Sequence, residues 1–245
     1  MDPLAEMYPG WSSYVYCLNN PVRFIDPDGR STHTNQNGNV VAVYHDKDKG
    51  VYRHTDEQLK IFDPNKMSLG KIGAEKMGET KYWNEFVDQA GQAMTNYQIN
   101  FDGNWNPIIG EYEKKAKDMG PIGVAKESKN NGVFDLKSKD EYHNKAMKLN
   151  GYYATDESAG NYLAGCNAAI TGISFDKFQK IAGELHYRHN ILKIPFPIKD
   201  MMKIYIGIMK PHEPGPRYGE IEYQYRMSLD GYQSTPIYAP QYTPY

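Results

Sequence analysis

The sequence predicts an α+β chain with a short N-terminal β remnant and hairpin, a mainly helical core, and an extended Pro- and Tyr-rich C-terminal tail. Three observations carry this prediction. Short apolar runs near the start alternate and are cut by Asn, Pro and Gly turn signals. Residues 155–189 carry apolar positions at helical spacing. Eight of the 15 prolines lie after Asn190, accompanied by repeated tyrosines.

At the N-terminus, Ser13–Leu18 alternates like a short strand and is stopped by Asn19-Asn20-Pro21. Val22–Ile25 suggests a second strand, stopped by the turn Asp26-Pro27-Asp28-Gly29. Such a pair buries little alone and reads as the end of a larger β structure. Residues 31–40 read as a polar linker with an Asn37-Gly38 turn. Val40–Tyr44 and Gly50–His54 then flank 45–49 as a hairpin, with His45 and His54 expected on solvated positions.

Tyr82, Trp83, Phe86, Val87 and Ala90 have helical spacing and suggest a helix over roughly 81–95. Asn104-Trp105-Asn106-Pro107 reads as a break, followed by a helix from Ile108 to Met119 that Gly120-Pro121 ends. Gly132–Lys137 reads as a short strand that points Asp135 and Lys137 to one side, and 140–149 as a polar helix ended by Asn150-Gly151.

The densest signal follows. Thr155 or Asp156 can cap a helix whose one face holds Ala159, Tyr162, Leu163, Cys166 and Ile170, with Gly172 as the C-terminal stop. Gly160, Ala164, Gly165 and Ala168 keep its other faces slim, so a neighbour can approach closely. Ser174 caps a further helix with Phe175, Phe178, Ile181, Ala182 and Leu185 on its apolar face; Lys180 and Glu184 point away from it. Beyond Asn190 an extended segment is expected to wrap the domain as far as about 230, with a disordered end over 231–245. The resulting division is 1–30, 31–55, 56–230 with its core at about 130–190, and 231–245.

Composition excludes several classes of function. The net charge of -2, with 28 Lys+Arg against 30 Asp+Glu, argues against a strongly basic nucleic-acid clamp. It leaves room for an enzyme that grips a few phosphates. The mean hydropathy is -0.73 and no run approaches a transmembrane length, so no membrane partner is expected. Cys17 and Cys166 read as two unrelated small buried residues. Neither sits at metal-ligand spacing with a histidine or a second cysteine, and no metal or cofactor is expected. The start has neither a basic n-region nor an apolar h-region, so export is expected to use a specialised secretion system rather than a signal peptide. No phosphate-binding glycine loop, GxSxG elbow or HExxH is present.

What remains is a polar set around the helical pair: Asp135, Lys137, His143, Asp156, Glu157, Asn161, Glu184, His186, Arg188 and His189. A metal-independent ribonuclease needs a base for the 2′-hydroxyl proton, an acid for the leaving oxygen and a cation for the extra phosphate charge. Histidines, carboxylates and Lys/Arg supply those groups. His186 and His189 are three apart and share a helix face, His189 within the apolar arc and His186 at its edge. His143 is expected on an exposed polar face. Asp156 and Glu157 read first as residues that favour a helix N-terminus.

Two stretches resemble known families. Residues 1–30, with DPLA, YPG, YVYCLNNP and DPDG in that order, resemble the close of the Rhs-associated core. The resemblance implies a YD-repeat shell enclosing a C-terminal toxin that begins just after DPDG. It also makes Asp26 and Asp28 the positions to watch for self-cleavage, with Ala5 standing where glycine is common. With Met1 directly before Asp2 and no shell sequence present, a detached cassette or a piece of a larger parent is expected.

GVFDLKSK, YYATDESAGNYLAGCNAAITGIS and KIAGELH together resemble the type 44 polymorphic-toxin family. The matching positions are Phe134, Asp135, Lys137, Gly160, Asn161, Tyr162, Gly165 and, more loosely, Ala182-Gly183. Leu163-Ala164-Gly165 stands where a second YG is frequent. The resemblance implies ribonuclease activity in a competitor's cytoplasm and carries over Asp135, Lys137, Asn161 and Tyr162 as site positions. It also implies a cognate immunity protein, an RNA substrate, and an Rhs shell or secretion machinery as partners. His186 is the expected base or acid, with His189 beside it. A cell-wall hydrolase using Asp135, Asp156 or Glu157 as its acid, and a non-catalytic binding or structural tail, remain the alternatives.

Overall fold

The computed structural model describes residues 29–60, 70–71, 73–128 and 131–235. The expected N-terminal strands, Cys17, Asp26 and Asp28 lie outside these residues, as do positions 236–245. Within them the chain is α+β, as the sequence predicts.

The first strand among the described residues is one the sequence did not suggest. β1 (Arg30–Thr34) pairs antiparallel with β2 (Val40–His45) across a turn in which Gly38 has φ +80° and Asn35 Oδ1 accepts from the Asn37 and Asn39 amides. β3 (Gly50–Arg53) then lies parallel to β1, and β4 (Glu75–Glu79) antiparallel to β3, for an order β2-β1-β3-β4. The two runs expected to form a hairpin therefore lie on either side of β1. The β3–β4 pairing also carries the sheet across the division expected at residue 55.

Ser31, His33 and Thr34 of β1 are buried because each finds a partner inside. Ser31 Oγ donates to Asp46 Oδ2 at 2.8 Å and accepts from His33 Nε2 at 3.0 Å. That leaves His33 Nδ1 as the acceptor for His54 Nε2–H at 2.7 Å. His54 is thus buried rather than solvated, while His45 is exposed. Burial, the His54 charge and Lys71 push the His33 pKa down to about 4, against the opposing pull of Asp46 and Asp48. A pKa depressed below its unfolded value of 6.5 means that the stability held by the neutral ring is present above pH 6.5 and is lost as pH falls toward 4. Urea unfolding is expected to show a fold about 2 kcal/mol weaker at pH 5 than at pH 8 from this group. Equal stability at the two pH values would contradict a neutral, buried His33.

α1 (Asp56–Lys60) follows β3. Residues 81–95 are turns, not the expected helix. Asp88 Oδ1 accepts from the Ala90 and Gln92 amides, Gly91 has φ +77°, and the Met94 amide reaches back to the Phe86 carbonyl. Phe86 is buried all the same, with Val40, Val51, Ile99 and Tyr153. The apolar spacing there reports burial of a folded-back loop, not a helix face.

β5 (Gln98–Asn104) runs parallel to β6 (Lys145–Leu149), which pairs antiparallel with β7 (Tyr152–Thr155). Asn150 and Gly151 have φ +51° and +89°, the two left-handed residues of a two-residue hairpin. The predicted polar helix over 140–149 is therefore a turn and a strand. The burial of Ala146, Met147 and Leu149 outweighs the helix preference of their residue types.

α2 (Trp105–Glu127) starts where a break was expected. Asn104 caps it by accepting from the Asn106 amide at 2.9 Å, and Pro107 sits in the first turn, where its missing N–H costs nothing. Gly120, at φ +66° and ψ 178°, kinks it before Pro121, where the sequence places the stop. Gly132–Lys137 is a turn leading into a single 3₁₀ turn, Leu136–Ser138, rather than a strand.

α3 (Asp156–Ile170) and α4 (Phe175–His186) form as predicted, with Thr155 Oγ1 accepting from the Ser158 amide and Gly172 (φ +74°) closing α3. α4 runs on into a π-helical turn, Tyr187–Leu192, ended by Lys193 at φ +56°. Past it the expected extended tail carries two helices, α5 (Ile198–Tyr205) and α6 (Glu222–Ser234). α6 lies directly along α3, and its Met227 joins Trp105, Leu136, Leu163 and Cys166 in the main core. No helix among the described residues is long and apolar enough to cross a membrane.

Candidate functional site

One face of α3 packs into the core; the opposite face opens onto a cleft of about 310 Å³. Glu157, Gly160, Asn161, Ala164 and Ala168 form its α3 wall, the i, i+3, i+4, i+7, i+11 stripe expected of a helix. Phe178, Ile181, Ala182, Leu185, His186 and His189 form the facing wall from α4 and the π-helical turn. Most of the apolar arc of α4 is half-buried: Phe178, Ile181 and Leu185 line this cleft and also pack against small buried clusters beside it. Phe134–Lys137 closes one side, and Glu220, Gln224 and Ser228, spaced four apart around the start of α6, close another.

Five of the six residues singled out from the sequence meet here: Asp135, Lys137, Asn161, His186 and His189. The sixth, Tyr162, does not. One residue on from Asn161, it turns into the core, and its hydroxyl accepts from Asn150 Nδ2 at 3.0 Å. Asp135 and Lys137 reach the cleft from the loop and the 3₁₀ turn. Asp135 Oδ2 accepts from the Asn131 amide at 2.9 Å, and Lys137 is exposed. His143 stands outside the lining with its Nδ1 3.0 Å from the Lys137 carbonyl.

Burial, with a smaller push from the Lys137 charge, depresses the His186 pKa against a hydrogen bond with Gln224. Its ring is neutral at neutral pH, and its one lone pair accepts from Asn190. Asn190 Nδ2 lies 3.0 Å from Nδ1 and holds the ring in place. Asp156 borders the cleft, but its carboxylate is taken up by the Tyr97 hydroxyl at 2.7 Å and the Asn144 and Glu157 amides. Burial raises its pKa against those bonds.

Glu184 lies where the sequence did not place it. Expected to point away from the packed face, it is fully buried, and behind the α4 wall it gathers Arg188 at 2.5 Å, the His212 amide at 3.0 Å and the His212 ring at 2.8 Å. Arg188 extends the cluster to Asp200 at 3.2 Å. Burial opposes ionisation of Glu184, but these donors outweigh it and hold its pKa below the usual carboxylate range. The cluster ties α4, the π-helical turn, α5 and residue 212 together, which fixes His186 and His189 from behind.

Glu220 and Gln224 were missed because the segment that carries them reads as extended tail. The i, i+4, i+8 spacing of Glu220, Gln224 and Ser228 is the signal that marks a helix edge there. Burial pushes the Glu220 carboxyl up to about 7 against a smaller opposing contact with Gln179. Among the described residues, no three His, Cys, Asp or Glu side chains come together as a metal site. Comparison of the chain with protein families, curated proteins and solved structures finds no match.

Proposed function

We propose that the chain is a polymorphic-toxin effector domain that cleaves RNA in its cleft by acid–base chemistry without a metal. One observation carries the reading: a neutral His186, within reach of the Lys137 charge, shares a partly apolar cleft with His189, Asp135 and Asn161. In this reading the substrate 2′-hydroxyl displaces the Asn190 amide from His186 Nδ1, which takes its proton as the oxygen attacks phosphorus. His189 delivers a proton to the departing 5′-oxygen as the P–O5′ bond breaks. Lys137 offsets the charge that builds on the phosphoryl oxygens. The products are a 2′,3′-cyclic phosphate and a 5′-hydroxyl. The apolar walls suit the faces of a nucleobase, and the volume is that of a small-ligand site.

The same reading includes delivery through an Rhs shell or a specialised secretion system, and a cognate immunity protein in the producing cell. Just past the cleft-lining His189 and Asn190, exposed Ile191, Leu192 and Ile194 flank Lys193, an apolar and basic surface that a partner covering the cleft mouth would bury.

Inducible expression of the chain in the cytoplasm and, separately, in the periplasm tests the proposal. Growth arrest with degraded RNA on cytoplasmic expression is expected. Arrest with rounded cells only on periplasmic expression would favour a cell-wall hydrolase, and unimpaired growth in both would favour a non-catalytic module; either result overturns the ribonuclease reading.

A further inference from the structure

We infer that the Glu220 end of the cleft is a guanine-binding subsite, in which the Glu220 carboxyl accepts the paired N–H donors of the base edge while Phe178, Ile181 and Ala182 cover its face. The inference rests on the ribonuclease reading for its biological meaning and on the cleft alone for its chemistry.

Glu220 lines the cleft, and its Oε2 is buried without a hydrogen-bond partner. An unfilled buried carboxyl oxygen costs stability, and such atoms are few in folded proteins. Immediately behind it, Gln179 is buried and its amide orientation follows from the bonds around it. Ser228 Oγ donates to the Tyr225 carbonyl at 3.0 Å, so it accepts from Gln179 Nε2 at 2.9 Å. The Gln179 Oε1 is then a second buried acceptor without a partner. Gln179 also gives Glu220 the hydrogen bond that opposes the rise of its pKa, yet Glu220 Oε2 and Gln179 Oε1 stay unfilled, so the cluster can take a further donor, with Glu220 its member on the cleft wall.

A ligand that completes it must be flat enough for the apolar walls and must present adjacent N–H groups at one edge. Among the RNA bases only guanine does so, through N1–H and the N2 amino group. Adenine and cytosine each set one amino group beside a ring acceptor, and uracil places a single N–H between two carbonyls. Two donors on one carboxyl favour its ionised form, so binding is expected to release a proton from a group that burial keeps near neutrality.

The test uses the whole chain and the four ribonucleoside 3′-monophosphates as probes in calorimetric titration. Guanosine 3′-monophosphate is expected to bind about 10-fold tighter than the other three. Glu220→Gln, which keeps the shape but sets an amide donor against the base, is expected to erase the preference with the melting temperature maintained. Equal affinities for the four probes, or a guanine preference that Glu220→Gln leaves intact, would overturn the inference. The two readings fail separately. Cleavage spread evenly over all bases sinks the guanine subsite and leaves the ribonuclease standing. Guanine-selective binding with intact RNA does the reverse.

Discussion

His186→Ala is expected to lower RNA cleavage by on the order of 10²- to 10⁴-fold, the contribution of a positioned general base. His186 combines the properties that this step needs. It lines the cleft, burial keeps it neutral, and Asn190 orients it. Structural cost is small, because the ring lies at the margin of the core and its contacts are to the cleft-lining Asn190 and Gln224. The folded state is therefore expected to survive, and circular dichroism with thermal unfolding checks that before any loss of activity is counted. A folded His186→Ala protein that cleaves at the parent rate removes His186 from the chemistry, whatever the activity proves to be.

Gly165→Ala is expected to weaken the fold by about 3 kcal/mol, at the upper end of the cost of overpacking. A Cβ at Gly165 would stand 1.8 Å from the Ser228 carbonyl oxygen, and one at Gly231 would stand 1.9 Å from the Tyr162 carbonyl oxygen. The two glycines face each other's helices, so α3 and α6 meet backbone against backbone with no flexible side chain to yield. Gly160, in the same helix, has nothing within 4 Å of an added Cβ. There the same change is expected to stabilise by about 0.5 kcal/mol through helix propensity alone. Urea unfolding of the two variants side by side checks both expectations. A Gly165→Ala protein as stable as the parent would contradict the close contact of α3 with α6. Since α6 carries Gln224 and Ser228 to the cleft, that result would also unsettle one wall of the site.

α3 and α4 were legible because each shows several apolar residues at 3.6-residue spacing; Thr155 and Gly172 bound α3, while Ser174 stands at the start of α4 without a side-chain capping bond. The periodicity of α4 also placed His186 and His189 on one face, and that face turns out to share the cleft with Asn161, which the resemblance had singled out. Asp135 and Lys137 arrived in the cleft by a different local structure from the one expected, a 3₁₀ turn in place of a strand. Tyr162 lies outside the cleft because a helix sends residues adjacent in sequence, such as Asn161 and Tyr162, about 100° apart, and Tyr162 falls on the apolar face with Ala159, Leu163 and Cys166.

What was not legible depended on partners far along the chain. β1 looks like a linker because Ser31, Thr32, His33 and Thr34 are polar. Only the bonds to Asp46, Tyr52 and His54 make its burial favourable. β6 has helix-forming residues and becomes a strand between β5 and β7. Glu184 looks like a solvated helix residue until Arg188 and His212 close around it. α6 is preceded by a proline-rich stretch that hides it, and Glu220 with it.

The most direct test of the central proposal is the chemistry of the cut ends. Purified protein incubated with RNA in the presence of a chelator is expected to yield fragments ending in 2′,3′-cyclic phosphate and beginning with 5′-hydroxyl, resolved by mass spectrometry. Intact RNA, or fragments with 5′-phosphate ends, would contradict it.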